Sequence, residues 1–210
     1  MLRHARSALF FVCFACLAVS VFAAPPPRTI VFFGDSLTAG LGLADPEADA
    51  YPAVIQKKIG AAHLDYRVVN AGLSGETSAG GARRIDWILR QPVDVFVLAL
   101  GGNDGLRGLD PAVTRDNLQT ILDRVRAKYP AARLVVAGMQ MSGGMGEDYT
   151  QAFRAIFPAL AEKNRAALVP FLLAGVGGIP ELNQPDLIHP TPAGHAILAE
   201  NVWRVLRPLL

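Results

Sequence analysis

The sequence predicts an α/β fold, in which a parallel sheet is covered by helices on both faces. Short apolar runs alternate with helical segments along the chain, which is the pattern of strands joined by crossover helices. Residues 95–100 read Val-Phe-Val-Leu-Ala-Leu without polar alternation, as expected for a strand buried on both faces. We expect strands over residues 29–34, 66–70, 93–100, 133–138 and 167–171.

Two of the connecting helices have recognisable starts. Asp110 and Pro111 precede a segment whose apolar residues recur at helical spacing up to Tyr129, and an acidic cap followed by proline is typical of a helix N-terminus. Thr191 and Pro192 begin the last helix in the same way. No internal repeat, low-complexity tract or interdomain linker interrupts this pattern, so we expect a single domain.

The N-terminus has the three parts of a secretory signal peptide. A basic start at residues 3–6 is followed by an apolar run over residues 8–21 and a small-residue cleavage site ending at Ala23. The apolar run is shorter than the ~20 residues that a membrane-spanning helix needs. We therefore expect residues 1–23 to be removed and the protein to be secreted, with the periplasm as its location.

Cleavage after Ala23 leaves residues 24–210 as the mature domain. Cys13 and Cys16 fall within the expected signal, so the mature domain has no thiol for a disulfide or a metal site. The 20 Lys and Arg residues lose two with the signal and then balance the 18 acidic residues, so nothing indicates binding to nucleic acid. A retained membrane anchor and a lipoprotein acylated on Cys16 are weaker alternatives.

Two short motifs near opposite ends of the domain supply the parts of a hydrolytic triad. Ser36 follows the first predicted strand, and Asp186 precedes His189 by three residues in one turn. A serine hydroxyl is a poor nucleophile until an imidazole takes its proton, and a carboxylate must orient that imidazole. These residue types predict Ser36 as nucleophile, His189 as base and Asp186 as its partner.

The predicted topology brings further polar groups to the same place, because parallel strands present ligand sites at their carboxyl ends. Acyl transfer needs donors for the developing oxyanion, and the candidates are the Ser36 N–H, the Gly75 N–H and the Asn103 side-chain amide. Other polar residues at this edge have simpler interpretations as turn or cap carboxylates; they are Asp35, Asp104 and Asp110. Of the remaining histidines, we expect His63 to be solvated and His195 to be a satisfied residue at the surface or behind the site.

These blocks resemble those of the SGNH, or GDSL, hydrolase family over nearly the whole mature domain. The resemblance rests on Gly34-Asp35-Ser36-Leu37, Gly75, Gly101-Gly102-Asn103-Asp104 and Asp186-x-x-His189, and it is strongest to the thioesterase, arylesterase and lysophospholipase type. It implies a three-layer flavodoxin-like fold with five parallel strands in the order 2-1-3-4-5. It also implies the triad above, an oxyanion hole from Ser36, Gly75 and Asn103, and no metal or organic cofactor.

Two departures from the family pattern concern the surroundings of the triad. Leu187 stands after the triad aspartate where the family often has glycine, and residues 139–149 contain methionine and glycine where relatives tend to carry proline. We expect Leu106 and Met141 to contact the substrate. Methionines suit an adaptable acyl contact, although packing within the core or loop is an equal alternative.

Together these features predict a secreted enzyme that hydrolyses small acyl esters or thioesters, with lysophospholipids among its candidate substrates. The enzymatic alternative is a carbohydrate O-acetylesterase that uses the same triad and oxyanion hole. The non-enzymatic alternative is a secreted binding module that keeps the pocket without turnover. Nucleotide-binding and zinc-protease motifs are absent from the sequence. The Gly-x-Ser-x-Gly elbow of ordinary α/β-hydrolases is also absent, since Thr38 occupies its last position. We expect a monomer with neither a stable membrane anchor nor a nucleic-acid partner.

Overall fold

A computed structural model describes residues 26–141 and 143–210 of the chain. The expected signal peptide, residues 1–23, lies outside the described residues. None of the helices in the described part has both the length and the apolar character needed to cross a membrane.

Five parallel strands form a single sheet in the order β2-β1-β3-β4-β5, as the family resemblance implied. The prediction of five strands is confirmed, although their ends differ by a few residues. The last strand is shorter than expected because Pro170, which follows it, has no backbone N–H to extend the pairing. The strands are β1 (Arg28–Gly34), β2 (Tyr66–Gly72), β3 (Val95–Ala99), β4 (Arg133–Ala137) and β5 (Ala167–Val169).

Helices connect the strands, and the two predicted helix starts are confirmed. The Asp110 side chain accepts from the Ala112 N–H at 2.8 Å, and the Thr191 hydroxyl accepts from the Gly194 N–H at 3.4 Å. The helices are α1 (Ser36–Ala39), α2 (Pro46–Asp49), α3 (Tyr51–Ala61), α4 (Ser78–Ile88), α5 (Gly102–Leu106), α6 (Pro111–Lys128), α7 (Glu147–Asn164) and α8 (Pro192–Leu206).

The strand order places the helices in two layers. The chain steps from β1 to β2 in one direction and from β2 past β1 to β3 in the other. Because crossovers between parallel strands are right-handed, the two steps put α3 and α4 on opposite faces of the sheet. Helix α4 packs on α6 and α6 on α7, whereas α3 packs on α8. The sheet is therefore the middle of three layers, as expected for a flavodoxin-like fold.

The core lies on both faces of the two central strands. Every residue of β3 is buried, and so is every residue of β1 beyond Arg28, which explains why these runs lack polar alternation. At the end of β1, Gly34 lets the chain turn tightly into α1, since a Cβ there would lie 2.0 Å from the Thr38 hydroxyl oxygen. Because Gly34 has no side chain, the end of β1 can lie against Thr38 of α1, the helix that begins with Ser36.

Candidate active site

Ser36 lies directly beyond the carboxyl end of β1, as the first residue of the one-turn helix α1. Asp35 caps this helix as predicted, and its Oδ1 accepts from the Leu37 N–H at 3.0 Å. The side chain of Ser36 is largely buried in the site. Because the first N–H groups of a helix have no carbonyl of that helix to bind, the Ser36 N–H is available to a ligand.

The structure brings Ser36, His189 and Asp186 together, although 153 residues separate the first two along the chain. The His189 Nε2 atom lies 2.9 Å from the Ser36 Oγ atom. The other ring nitrogen, Nδ1, lies 2.7 Å from Asp186 Oδ2. With Nδ1 protonated toward the carboxylate, Nε2 can accept the hydroxyl proton of Ser36. This is the connectivity that general-base activation of a serine requires.

Asp186 is held in its ionised form. Its Oδ1 atom accepts from the backbone N–H groups of Ile188 at 2.9 Å and His189 at 3.0 Å. The hydrogen bond from the His189 ring, followed by these two backbone bonds, lowers the pKa of the Asp186 carboxyl to about 2. The carboxylate therefore stays charged at neutral pH, although its side chain is 45% exposed.

Residues 183–190 form a tight loop that carries Asp186 and His189, and Asn183 and Gln184 tie it to the body of the domain. The Asn183 amide donates to the Val176 carbonyl at 2.7 Å. The Gln184 amide donates to the carbonyl of Leu41, which follows α1, at 2.7 Å. Gln184 thus couples the loop that contains His189 to the helix that begins with Ser36.

Leu187 adopts the left-handed backbone conformation that the family glycine would favour. Its φ is +58°, which is uncommon for a residue with a Cβ. The turn therefore keeps its geometry in spite of the leucine, and the conformation leaves the Leu187 side chain 55% exposed. An apolar side chain consequently borders the site where glycine would leave an open surface.

Of the two remaining oxyanion-hole candidates, Gly75 lies in the loop after β2 and Asn103 lies in the first turn of α5, which follows β3. Gly75 has a φ of +78°, and apart from the glycine and its two chain neighbours no atom of the described residues lies within 4 Å of the position that a Cβ would take. The Asn103 Nδ2 atom donates to the Glu76 carbonyl at 3.0 Å, which fastens the first turn of α5 to the loop after β2. A side-chain amide has two N–H donors, so this bond uses one of them and leaves one for a ligand.

Two buried acidic residues, Asp104 and Glu76, form contacts that support the segments containing Asn103 and Gly75. Asp104 is 1% exposed, and its Oδ2 atom accepts from the Ser78 N–H at 2.8 Å. Asp104 therefore caps α4 from the start of α5, in keeping with the predicted cap role. Glu76 is also buried and forms an ion pair with Arg84, whose guanidinium lies over the ring of Phe33.

The expectation that His195 has all its hydrogen bonds satisfied is wrong, and of its two expected positions, at the surface or behind the site, the surface is excluded. His195 is completely buried, and while its Nδ1 accepts from the Tyr51 N–H at 3.2 Å, its Nε2 has no hydrogen-bond partner within the described residues. Burial lowers the pKa of His195 to about 4. The sequence did hold a signal, since Leu198, Ala199 and Val202 follow His195 at the spacing of one buried helix face.

Leu106 is the last residue of α5, the helix that contains Asn103, and Met141 lies in the loop after β4 and packs against this helix. Leu106 is 58% exposed. Met141 packs against Gly105, where a Cβ would lie 2.4 Å from its sulfur atom. Met139, by contrast, belongs to the core, with 6% of its surface exposed. The Tyr149 hydroxyl, in the first turn of α7, donates to the Leu109 carbonyl at 2.9 Å. This bond joins the start of α7 to the segment that follows α5.

Two residues that the sequence did not single out support the site. Arg107 donates through Nη2 to the Gly75 carbonyl at 3.1 Å, and Gln184 joins the two catalytic loops as described above. Both stand within four residues of a predicted site residue, which is a signal that sequence reasoning could have used. Across residues 26–141 and 143–210, no group of three or more His, Cys, Asp or Glu side chains is arranged to hold a metal ion.

Comparison with known proteins identifies the family. Residues 32–197 match the GDSL-like Lipase/Acylhydrolase family. The chain belongs to the GDSL, or SGNH, hydrolases. It is 40% identical over 206 residues to Esterase TesA of Pseudomonas aeruginosa, covering 98% of this chain and 100% of that protein. It is 35% identical to Thioesterase 1/protease 1/lysophospholipase L1 of Escherichia coli K12, covering 94% and 92%.

The fold is shared with solved members of the family as well. A crystal structure of TesA superposes with a TM-score of 0.81 at 42% sequence identity, covering 87% of this chain and all of that one. The strand order and the helical layers described above are therefore those of an SGNH hydrolase.

The carboxyl group of Asp35 should change how the free energy of unfolding depends on pH. Burial, partly offset by the hydrogen bond from the Leu37 N–H, raises the pKa of Asp35 to about 7 from an ordinary value of 3.8. Between these values the folded protein binds a proton that the unfolded chain releases, so Asp35 lowers the free energy of unfolding as the pH rises. The lowered pKa of His195 has the opposite sign, because the unfolded chain binds its proton between about pH 4 and 6.5.

We therefore predict that Asp35→Asn makes the free energy of unfolding rise more steeply with pH between about pH 4 and 7. One proton is worth at most ~1.4 kcal/mol per pH unit. Asparagine keeps the cap oxygen, so the variant should remain folded. Urea unfolding at a series of pH values measures the slope, and equal slopes in the parent and the variant would contradict the assignment.

Proposed function

We propose that this protein is a secreted serine esterase and thioesterase that hydrolyses acyl esters and thioesters through an acyl-enzyme on Ser36. The observation that carries the proposal is the unbroken chain of contacts from Ser36 Oγ to His189 Nε2 and from His189 Nδ1 to Asp186, at 2.9 and 2.7 Å. Membership of the GDSL family and the names of its relatives support the same activity.

In the proposed first step, Ser36 Oγ attacks the carbonyl carbon of the ester or thioester while His189 Nε2 takes its proton. The imidazolium that forms is stabilised by Asp186, whose low pKa keeps it ionised. His189 then delivers the proton to the departing alcohol or thiol. In the second step water, activated by the same imidazole, attacks the acyl group on Ser36 and releases the acid.

The oxyanion of each tetrahedral intermediate would be bound by the Ser36 N–H, the Gly75 N–H and the Asn103 amide. Preorganised donors of this kind act where charge develops, so they lower the barrier without reorganising during the reaction. The hydrogen bond from Asn103 to the Glu76 carbonyl supports this role, because it orients the amide and joins it to the loop that contains Gly75.

The site of action is proposed from the sequence of the N-terminus. With residues 1–23 removed as a signal peptide, residues 24–210 would work outside the cytoplasm, in the periplasm, as a monomeric domain on small acyl substrates. Esters and thioesters with an alkyl acyl chain suit the apolar residues beside the site, and a lysophospholipid is one such ester.

The first test is removal of the nucleophile. We predict that Ser36→Ala lowers kcat for p-nitrophenyl butyrate by at least ~10³-fold, while the Tm stays close to that of the parent. The parent should incorporate one fluorophosphonate per chain and Ser36→Ala none, as followed by intact-protein mass spectrometry. The exposed His63→Ala serves as control and should label like the parent. A folded parent that neither labels nor turns over would identify a binding module instead.

The second test addresses the oxyanion hole. Removing one such donor costs ~10² to 10³ in kcat, so Asn103→Ala should show a loss of this size with a smaller change in KM. Asn164→Ala is the control, because that amide donates to the Leu160 carbonyl in another part of the domain. A change confined to KM in steady-state kinetics would make Asn103 a ground-state binding residue.

The third test addresses the acyl side of the site. Burying one methylene is worth ~0.8 kcal/mol, or about fourfold in kcat/KM, so activity on p-nitrophenyl esters should rise from acetyl to medium-length chains. Leu106→Ser should weaken this rise, because Leu106 offers its exposed side chain to the acyl group. Trp87, which is 64% exposed at the far end of α4, provides the control variant Trp87→Ser. Fastest turnover of acetyl esters, with deacetylation of glycans, would favour the O-acetylesterase alternative.

A further inference from the structure

A shallow, open cleft lies beside the proposed oxyanion hole, on the side of β2. Its volume is about 570 Å³. One wall is the loop of residues 73–77, which contains Gly75, and the other walls are formed by the first turns of α4 and by the residue after α5. Three arginines line it, namely Arg83, Arg84 and Arg107.

The three arginines differ in whether a carboxylate neutralises their charge. Arg84 is neutralised by the buried Glu76, and its guanidinium also donates to the Ala71 carbonyl at 3.0 Å. Arg83 is exposed, and neither it nor Arg107 forms an ion pair with any carboxylate of residues 26–141 and 143–210. The cleft therefore carries two uncompensated positive charges.

Arg107 connects this charge to the reaction centre. Its Nη2 atom donates to the Gly75 carbonyl at 3.1 Å, and the N–H of the same residue is a proposed oxyanion donor. An arginine has five N–H donors, so this single bond leaves most of the guanidinium for a ligand. A group bound by Arg107 would thus lie close to a carbonyl held in the oxyanion hole.

The ligand that suits this cleft is a phosphate group. Guanidinium groups match phosphate oxygens in geometry and charge. Two guanidiniums that come from different elements, α4 and the end of α5, suit a tetrahedral anion with oxygens on several sides better than a planar one. In the proposed function, the apolar acyl chain contacts Leu106 and Met141. The anion bound in the cleft would therefore belong to the leaving group.

We propose that this cleft binds the phosphate of a phosphorylated leaving group, and that Arg83 and Arg107 set the preference of the enzyme for such substrates. The inference rests on the proposed esterase function and extends it to the leaving group. A glycerophosphate ester presents its phosphate close to the scissile carbonyl, and a coenzyme A thioester is the other source of phosphate, at the far end of its pantetheine arm.

The test compares substrates that share an octanoyl chain, used as monomers. Octanoyl glycerophosphate and octanoyl glycerol differ only in the phosphate, and octanoyl coenzyme A represents the thioester source. The measured quantity is the ratio of kcat/KM for each phosphorylated substrate to that for octanoyl glycerol. We expect Arg83→Gln to lower this ratio about tenfold, as loss of a charge-assisted contact does, and the double variant with Arg107→Gln to lower it further.

Arg90→Gln is the matched control, because Arg90 is also exposed and lies just beyond α4 but outside the cleft. This variant should keep the parental ratio. In the parent, KM for the phosphorylated substrate should also rise with salt, since exposed charges are screened.

A fall in the ratio for either phosphorylated substrate supports the proposal, and the substrate with the larger fall identifies the source of the phosphate. Ratios that stay at the parental value in Arg83→Gln and in the double variant would overturn it. Failure of the esterase function itself is distinguishable, because octanoyl glycerol and p-nitrophenyl esters would then not be hydrolysed by the parent.

Discussion

The parallel pairing of β1 with both β2 and β3 is the constraint on which the site depends. Gly34, at the end of β1, is paired with Gly72 of β2 and with Ala99 of β3, so the three strands end at the same level. The chain leaves β1 toward β2 and returns past it to β3, and the order of strands reverses at this point. Ligand sites of open α/β sheets form where the order reverses. Ser36 therefore stands between the loop of Gly75 and the loop of Asn103 because of the sheet register, and no long-range side-chain contact is needed to bring these loops together.

Hydrogen bonds from side chains to backbone atoms then convert neighbouring loops into a fixed arrangement. Asn103 binds the Glu76 carbonyl, Arg107 binds the Gly75 carbonyl, and Gln184 binds the Leu41 carbonyl. Each bond joins two segments that follow different strands. The bonds therefore fix the candidate catalytic groups of these segments relative to one another. Such support matters because an error of about 1 Å in placement can cost a factor of ~10² in rate.

The parallel sheet and the meeting of Ser36 with His189 and Asp186 could be predicted from local patterns in the sequence, whereas the strand order was implied by the family resemblance. Unbroken apolar runs indicate the buried strands, and Asp110 and Thr191 mark helix starts. The placement of Ser36, Asp186 and His189 at one edge follows from a parallel sheet. What could not be predicted depends on tertiary packing. The burial of Asp35 raises its pKa, and the left-handed conformation of Leu187 is imposed by the loop around it. The sequence places Arg107 and Gln184 close to predicted site residues, but the backbone carbonyls of Gly75 and Leu41 that they bind have no sequence signature.

The surroundings of Ser36 differ chemically on its two sides, and this difference would give an ester bound in the proposed site one preferred direction. On the side of β4 stand the exposed Leu106 and the flexible side chain of Met141, which offer contact to an alkyl chain but no charge. On the side of β2 stands the cleft with Arg83 and Arg107, which offers positive charge beside the exposed side chain of Leu73. An ester carbonyl in the proposed oxyanion hole would extend toward both. Reversing the substrate would place an alkyl chain among guanidiniums and an anion among methionine and leucine, and the second placement would desolvate a charge without a partner. The asymmetry therefore favours the orientation in which the acyl group lies toward β4 and the leaving group toward β2.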